Sequence, residues 1–279
     1  MKYLKPTTLD EALRYLFDES TRFPLLAGGT DLIVQWKSGA IDLKGVIDIS
    51  ALSELSGISE EGEDVYIGAL VTHAMIKEDA LIKKHFSTLS HACSTIGAKQ
   101  IQSRGTIGGN VANASPAGDT PPVLVVYNCE LELKSLRGSR LIKLVDLFEG
   151  YKKLNLKPDE IITRLKLPTP QNGMNAKFYK IGTRKAQTIS KAALCVGSIV
   201  KKGVIESISI AAASMGPTVV TAPKTVKLLE GELLSEDLID QAKESLKNEW
   251  KSIDDIRSTA AYRSFVSANI LSDYLKDLL

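Results

Sequence analysis

Two glycine pairs are the residues of this chain whose type and placement could do chemistry. The first lies in Ala27-Gly-Gly-Thr-Asp31, after a short apolar run and before a good helix start. The second lies in Thr106-Ile-Gly-Gly-Asn110, inside an uncharged segment that runs from Gly105 to Gly118. Glycine permits backbone conformations and close approaches that a Cβ would block. Successive N–H groups in such a turn can converge on an anion, and a helix starting there adds its dipole. Two such loops could grip a diphosphate from both sides. Neither is G-x-G-x-x-G or G-x-x-x-x-G-K-[ST], so a Rossmann site and a P-loop are both unsupported. Taken singly, each loop is more often a plain turn between a strand and a helix. An uncharged stretch this long, too polar for core and too rich in Gly and Asn for a simple element, points to a working surface loop.

Other reactive side chains offer less. Cys93, Cys129 and Cys195 are scattered, with no C-x-x-C spacing, so the chain cannot alone hold a four-thiolate iron–sulfur cluster. They read as buried thiols in a reducing compartment. His73, His85 and His91 form no H-E-x-x-H and read as surface or capping residues. No G-x-S-x-G marks a nucleophile. Lys177, Lys180, Arg184 and Lys185 form a local basic cluster, either solvated or facing a ligand or a partner chain.

The remaining residues must position these groups. The chain has 279 residues, 35 Lys+Arg against 33 Asp+Glu, a net charge of +2 and 44% hydrophobic residues. That composition excludes disorder, and the charge balance argues against a nucleic-acid binder. The length suggests about two domains. Pro6 and Asp10 interrupt the N-terminus before an apolar run develops, so no signal peptide is expected. The longest uncharged stretch, Ser207 to Pro223, contains Pro217 and is too polar for a membrane span. A soluble cytoplasmic protein is expected.

Leu9, Ala12, Leu13, Leu16 and Phe17 make one helical face, and Thr8 with Glu11 fits a capping box. Pro24 to Ala27 reads as a strand, and Leu32 to Lys37 as a short helix stopped by Gly39. Strands are expected at Val46–Ile49, Val65–Ala69, Val123–Tyr127, Glu130–Lys134 and 160–167, with a hairpin turn at Arg137-Gly138. Helices are expected over 72–84 and 86–96. Pro168, Pro170 and Gly173 mark a domain boundary. Beyond it come three strands (176–181, 192–200, 204–215) and then helices over 222–229, 236–248 and 258–279, an α+β order.

With these segments together the sequence resembles a known family. Leu25-Leu-Ala-Gly-Gly-Thr-Asp-Leu32 with Thr106-Ile-Gly-Gly-Asn-Val-Ala-Asn-Ala-Ser-Pro-Ala-Gly-Asp-Thr120 is similar to the FAD-binding medium subunits of the molybdenum hydroxylases, the xanthine dehydrogenase and carbon monoxide dehydrogenase family. Phe178 to Arg184 and Asp255 to Arg263 extend the resemblance over the whole chain. It implies an α+β fold: a vanillyl-alcohol-oxidase-type (PCMH) FAD-binding domain over 1–170, of two α/β subdomains at about 1–50 and 51–170. A C-terminal α+β domain over 171–279, a three-stranded sheet with helices, completes it.

The resemblance further implies that Leu25, Leu26, Ala27, Gly28, Gly29, Thr30, Asp31 and Leu32 wrap the FAD diphosphate. Thr106, Ile107, Gly108, Gly109 and Asn110 form the other half of the cradle. Ile96 matches a position packing near the cofactor, and Ser115 and Asp119 match positions bonding its ribityl or diphosphate region. Ile162 and Lys180 match positions near the isoalloxazine. From residue chemistry alone Asp119 reads first as an N-cap ahead of Thr120-Pro121-Pro122, and Lys180 as a solvent-facing strand residue. Asp255-Ile-Arg257 reads as structural or as a subunit contact.

The implied function is electron transfer. An iron–sulfur small subunit would feed a non-covalent FAD, a molybdenum-cofactor large subunit would hydroxylate the substrate, and NAD, a quinone or oxygen would accept the electrons. A stand-alone flavin oxidoreductase of the same fold and a non-redox nucleotide-binding protein are the alternatives.

Overall fold

The structure is a computed structural model that describes residues 1–279. Thr8 caps the helix Leu9–Phe17, its Oγ1 accepting from the Glu11 N–H at 3.2 Å. The Glu11 carboxylate reaches back one residue further than a capping box requires, accepting from the Thr7 N–H at 2.7 Å. The helix buries Leu9, Ala12, Leu13 and Leu16 against a small parallel sheet. In that sheet Gly45–Asp48 lies between Lys2–Leu4 and Leu25–Leu26.

A second, antiparallel sheet orders its strands Ile58–Glu61, Asp64–Gly68, Ile161–Pro168, Glu130–Ser135 and Gly138–Lys143. Glu130–Ser135 alternates half-buried and buried residues, with Leu131 and Leu133 facing the core and Glu130, Glu132 and Lys134 the other face. Glu132 there accepts from Arg164 Nε at 2.6 Å on the neighbouring strand. The helices His73–Glu78, Ala80–His85, Ser87–Ser94, Ile107–Ala112 and Thr120–Val126 contribute to the same core.

The third sheet is antiparallel: Asn175–Ile181, Ala192–Lys201, Val204–Ala213 and Val220–Thr221. Its strand Ala192–Lys201 is buried on both faces. Leu194 and Val196 pack under the helices Pro223–Leu229, Glu236–Glu249 and Ala260–Lys276, while Ala193 and Cys195 join the core of the five-stranded antiparallel sheet. The small residues on that second face admit Thr120–Val126. A Cβ on Gly197 would lie 2.6 Å from Val126 Cγ1 and 2.7 Å from Met174 Cε. No helix is long and apolar enough to cross a membrane.

Four expectations change. Val123–Tyr127 is not a strand but part of the helix Thr120–Val126. Pro121 and Pro122 supply no N–H to a ladder yet fit a first helical turn, and a run buried on all sides carries no period to separate the two. The expected helix over 72–84 breaks at Asp79, whose carboxylate caps Ala80–His85 by accepting from the Ile82 N–H at 3.0 Å. The glycine segment after Thr106 is helical over Ile107–Ala112. The C-terminal sheet gains a short fourth strand, Val220–Thr221, so it is not three-stranded.

Candidate functional site

The first glycine pair sits where Leu25–Leu26 ends and the helix Leu32–Lys37 begins. Gly29 takes φ +74°, a conformation that L side chains rarely adopt. A Cβ on Gly28 would stand 1.9 Å from the Arg104 carbonyl oxygen, so only glycine lets this turn lie against the Arg104–Gly105 backbone. None of the N–H groups from Ala27 to Leu32 has an acceptor within the chain. Leu25 and all of Ala27 to Leu32 line a cavity of about 490 Å³, whereas Leu26 lines only a separate pocket, with Asp48, Ser50 and Arg104. The Asp31 carboxylate is held by the Gln35 side-chain amide one turn on.

The second loop is built differently from the expectation. Thr106 caps the helix Ile107–Ala112, its Oγ1 accepting from the Gly109 N–H at 3.1 Å. The Ile107 N–H goes to the Val71 carbonyl, that of Gly108 to the Ala69 carbonyl, and that of Asn110 to the Thr106 carbonyl, each at 2.9 Å. Four of the five donors are thus used inside the protein, and the loop cannot grip an anion by its backbone as the first one can. Ile107 and Gly108 line neither cavity: Ile107 is core, and a Cβ on Gly108 would meet the Ala69 Cβ at 2.7 Å. Thr106, Gly109 and Asn110 do line the first cavity. Asn110 Oδ1 accepts from Thr120 Oγ1 at 2.5 Å, which leaves its amide nitrogen without a partner in the chain.

A second cavity of about 800 Å³ adjoins the first, and the two share Ile96, Ile101, Asn110, Asn113 and Lys152. Lys152 donates to the Asn113 backbone carbonyl at 2.8 Å, tying the hairpin that carries it across the junction. Ser115, Asp119 and Lys180 all line the second cavity. Asp119 is no N-cap by its side chain. Its Oδ2 accepts from Lys180 Nζ at 2.6 Å and its Oδ1 from Ser190 Oγ at 2.7 Å. Lys180 also donates to the Thr95 carbonyl at 2.9 Å, so it is not a solvent-facing strand residue. Burial pushes the Asp119 carboxyl above the usual carboxylate range, and the Lys180 ammonium and the Ser190 hydroxyl oppose that rise.

Ile162 departs from its expected place near a ring system. It is buried in the strand Ile161–Pro168, opposite Leu133 and beside a register shift, and lines neither cavity. Of the basic cluster, Lys180 and Arg184 reach the second cavity, while Lys177 pairs with Asp277 at the surface at 2.7 Å. Asp255 lines the second cavity and is held within the chain: its Oδ1 accepts from Arg263 Nη2 at 2.6 Å and from the Arg257 and Ser258 N–H groups. Arg263, buried among carbonyls, donates to the Lys191 carbonyl at 2.6 Å.

Sequence reasoning missed Asn113 and Lys152 at the cavity junction, and Ser190 on Asp119. It also missed His73, taken for a surface or capping residue but buried and lining the first cavity. Only Thr72, a good cap that puts His73 at the first helical position, hinted at its location. The arrangement as a whole is a long cleft. A row of free N–H donors lies at one end and a buried carboxylate–ammonium pair at the other.

Residues 1–170 match the family described as FAD binding domain in molybdopterin dehydrogenase, and residues 177–278 the CO dehydrogenase flavoprotein C-terminal domain. The nicotinate dehydrogenase FAD-subunit of Eubacterium barkeri is 33% identical over 263 residues, covering 87% of this chain and 88% of its own. The glyceraldehyde dehydrogenase medium chain of Sulfolobus acidocaldarius is 30% identical over 261 residues, covering 94% and 92%. A solved carbon monoxide dehydrogenase from Hydrogenophaga pseudoflava superposes with a TM-score of 0.94 at 24% identity, covering 98% of this chain and 95% of that one, which shows a shared fold.

Proposed function

This chain belongs to the family of FAD-binding domains of molybdopterin dehydrogenases, and from that premise we propose that it is the electron-transfer subunit of a heteromeric molybdenum hydroxylase. In this reading an iron–sulfur subunit delivers electrons to it, a molybdenum-cofactor subunit hydroxylates the substrate, and NAD, a quinone or oxygen takes the electrons away. The same reading divides the chain into a flavin domain over 1–170 and a C-terminal domain over 171–279. It puts the complex in the cytoplasm, where three free buried thiols are at home.

The observation that carries the proposal is the row of unpaired N–H groups from Ala27 to Leu32, residues that line a cavity sharing five lining residues with a larger one. Unpaired donors at a glycine turn suit a diphosphate, and the absence of a Cβ at Gly28 lets that turn lie against the Arg104–Gly105 backbone. The residues present therefore fit FAD. Leu25, Ala27, Gly28, Gly29, Thr30, Asp31 and Leu32 would hold its diphosphate. Thr106, Gly109 and the free amide nitrogen of Asn110 would shape the opposite wall. Ile96, Ser115, Asp119 and Lys180 would face the far end of the molecule. Ile107 and Gly108 would act only by holding that wall in place.

FAD, when bound, supplies a two-electron store that can be filled one electron at a time. The chain's own part is to bind it, exclude water from the cleft and set the local charge. Lys180, a cation beside a developing negative charge, favours the reduced cofactor, and Asp119 tempers that effect by sharing its charge. No side chain here is asked to act as general acid or base for hydroxylation. Purification of the natural complex, with identification of the co-eluting chains and metal analysis, tests the assignment. Co-elution with molybdenum- and iron-containing chains is expected; a chain that elutes alone under all conditions contradicts it.

A further inference from the structure

His73 has no part in the reading above, yet its placement is specific. Its backbone N–H donates to the Gly105 carbonyl at 3.0 Å, and it is 2% exposed while lining the first cavity. One side of its ring meets a buried thiol: Nδ1 lies 3.7 Å from Cys93 Sγ. The other side turns toward the glycine turns. The ring Cδ2 would stand 3.2 Å from a Cβ on Gly105, and Thr30 Oγ1 would stand 3.3 Å from the same point. Nε2, bonded to that Cδ2, has no hydrogen-bond partner in the chain.

Nε2 is the ring nitrogen without a partner, and the thiol beside Nδ1 bears on where the ring proton sits. Burial pushes the Cys93 thiol far up, so it keeps its proton, and Sγ has no acceptor in the chain other than His73 Nδ1. Burial pushes His73 down to about 4, so the imidazole is neutral and carries a single N–H. With Nδ1 accepting from the thiol, the proton belongs on Nε2.

We infer that His73 binds the flavin nucleotide as a neutral Nε2–H donor to an oxygen of its diphosphate–ribityl segment, with Cys93 fixing the tautomer. This rests on the FAD reading of the cleft. It adds one side-chain donor to the backbone row from Ala27 to Leu32, set beneath Thr30 and Gly105. A neutral donor suits this position because it can bond to an oxygen without burying a second charge.

The experiment is a titration of apoprotein with FAD, read by quenching of flavin fluorescence, for the natural chain and for His73→Leu, His73→Gln and His73→Asn. A lost bond to a charged oxygen weakens binding by about tenfold or more, so the Leu variant is expected to bind at least about tenfold more weakly. Gln carries an amide donor near the Nε2 position and is expected to return to within about threefold of the natural chain. Asn, whose amide reaches only the Nδ1 position, is expected to resemble Leu. A purely structural role would not separate Gln from Asn. Equal FAD affinity for the Leu variant and the natural chain, or no advantage of Gln over Asn, overturns the inference. Nitrogen-15 shifts of the His73 ring in the natural apoprotein give a second reading that needs no variant. The Nε2–H tautomer is expected, and the Nδ1–H tautomer overturns the inference. Absence of FAD binding by the natural chain would instead overturn the reading on which the inference rests.

Discussion

Lys180 Nζ lies 2.6 Å from Asp119 Oδ2, and the two residues come from different sheets' surroundings, 61 positions apart. Asp119 precedes the helix Thr120–Val126 that packs on the core of the five-stranded sheet, and Lys180 lies on the edge strand Asn175–Ile181 of the C-terminal sheet. The pair therefore ties the two halves of the chain together at the wall of the larger cavity. Both side chains are only 9% exposed, so the charges neutralise each other largely without help from water.

Removing one partner should cost more than removing both. Asp119→Ala leaves the Lys180 ammonium buried and uncompensated, and a loss of about 3–5 kcal/mol in urea unfolding is expected. Adding Lys180→Met to that variant should recover a large part of the loss. Additive losses would mean that the two residues do not act as a pair.

Gly28 and Gly29 should respond differently to a side chain. Gly28→Ala drives a Cβ into the Arg104 carbonyl and is expected to abolish FAD retention through purification. At Gly29 the obstacle is the positive φ, and the nearest neighbours of a Cβ would be Leu26 Cδ1 and Ile33 Cγ1 at 3.2 and 3.3 Å, both side-chain atoms. Asn tolerates that conformation, so Gly29→Asn should keep FAD, with a stability loss of about 1 kcal/mol or less. Equal behaviour of the two variants would contradict the roles given to the two glycines.

His73 makes stability depend on pH with a definite sign. Its folded pKa of about 4 lies below the ordinary 6.5, so between those values the unfolded chain binds the extra proton. The contribution is full above pH 6.5 and is lost as pH falls through the window toward 4, to a limit of about 3 kcal/mol. Urea unfolding at several pH values should show a shallower loss for His73→Gln than for the natural chain. Parallel curves for the two would mean that His73 is not buried as a neutral ring.

Contact between the helix Thr120–Val126 and the C-terminal sheet depends on the space at Gly197. Gly197→Ala should cost about 1–3 kcal/mol through overlap with Val126 and Met174. Pairing it with Val126→Ala, which vacates part of that space, should cost less than the sum of the single changes. A strictly additive result would place the strain elsewhere.

The first glycine turn was legible because what it needs, a positive φ at Gly29 and backbone contact at Gly28, is written in the residue type itself. The second was legible as a motif but not in its mechanics. Whether Ile107 and Gly108 offer their N–H groups to a ligand depends on the Val71 and Ala69 carbonyls, which lie in a distant segment. The alternating strands Glu130–Ser135 and Ile161–Pro168 and the amphipathic helix Leu9–Phe17 followed from their periods. Thr120–Val126 did not, because a run buried on every side has no period to read. Asp119 and Lys180 came only through the resemblance, since nothing in either local sequence points to the other. Ile162 came the same way, and the fold turns it into the core instead. His73 escaped because burial of a lone histidine beside a thiol is a tertiary fact.

Non-covalent FAD in the cleft that begins at Ala27-Gly28-Gly29 underlies every role proposed for these residues. The most direct measurement is acid precipitation of the purified chain, after reconstitution with FAD and removal of excess ligand, followed by the absorbance spectrum and mass of what remains in solution. Intact FAD is expected in the supernatant, at one molecule per chain, and is expected to be lost in Gly28→Ala. A natural chain that releases no flavin, or flavin that stays with the precipitate, would contradict it.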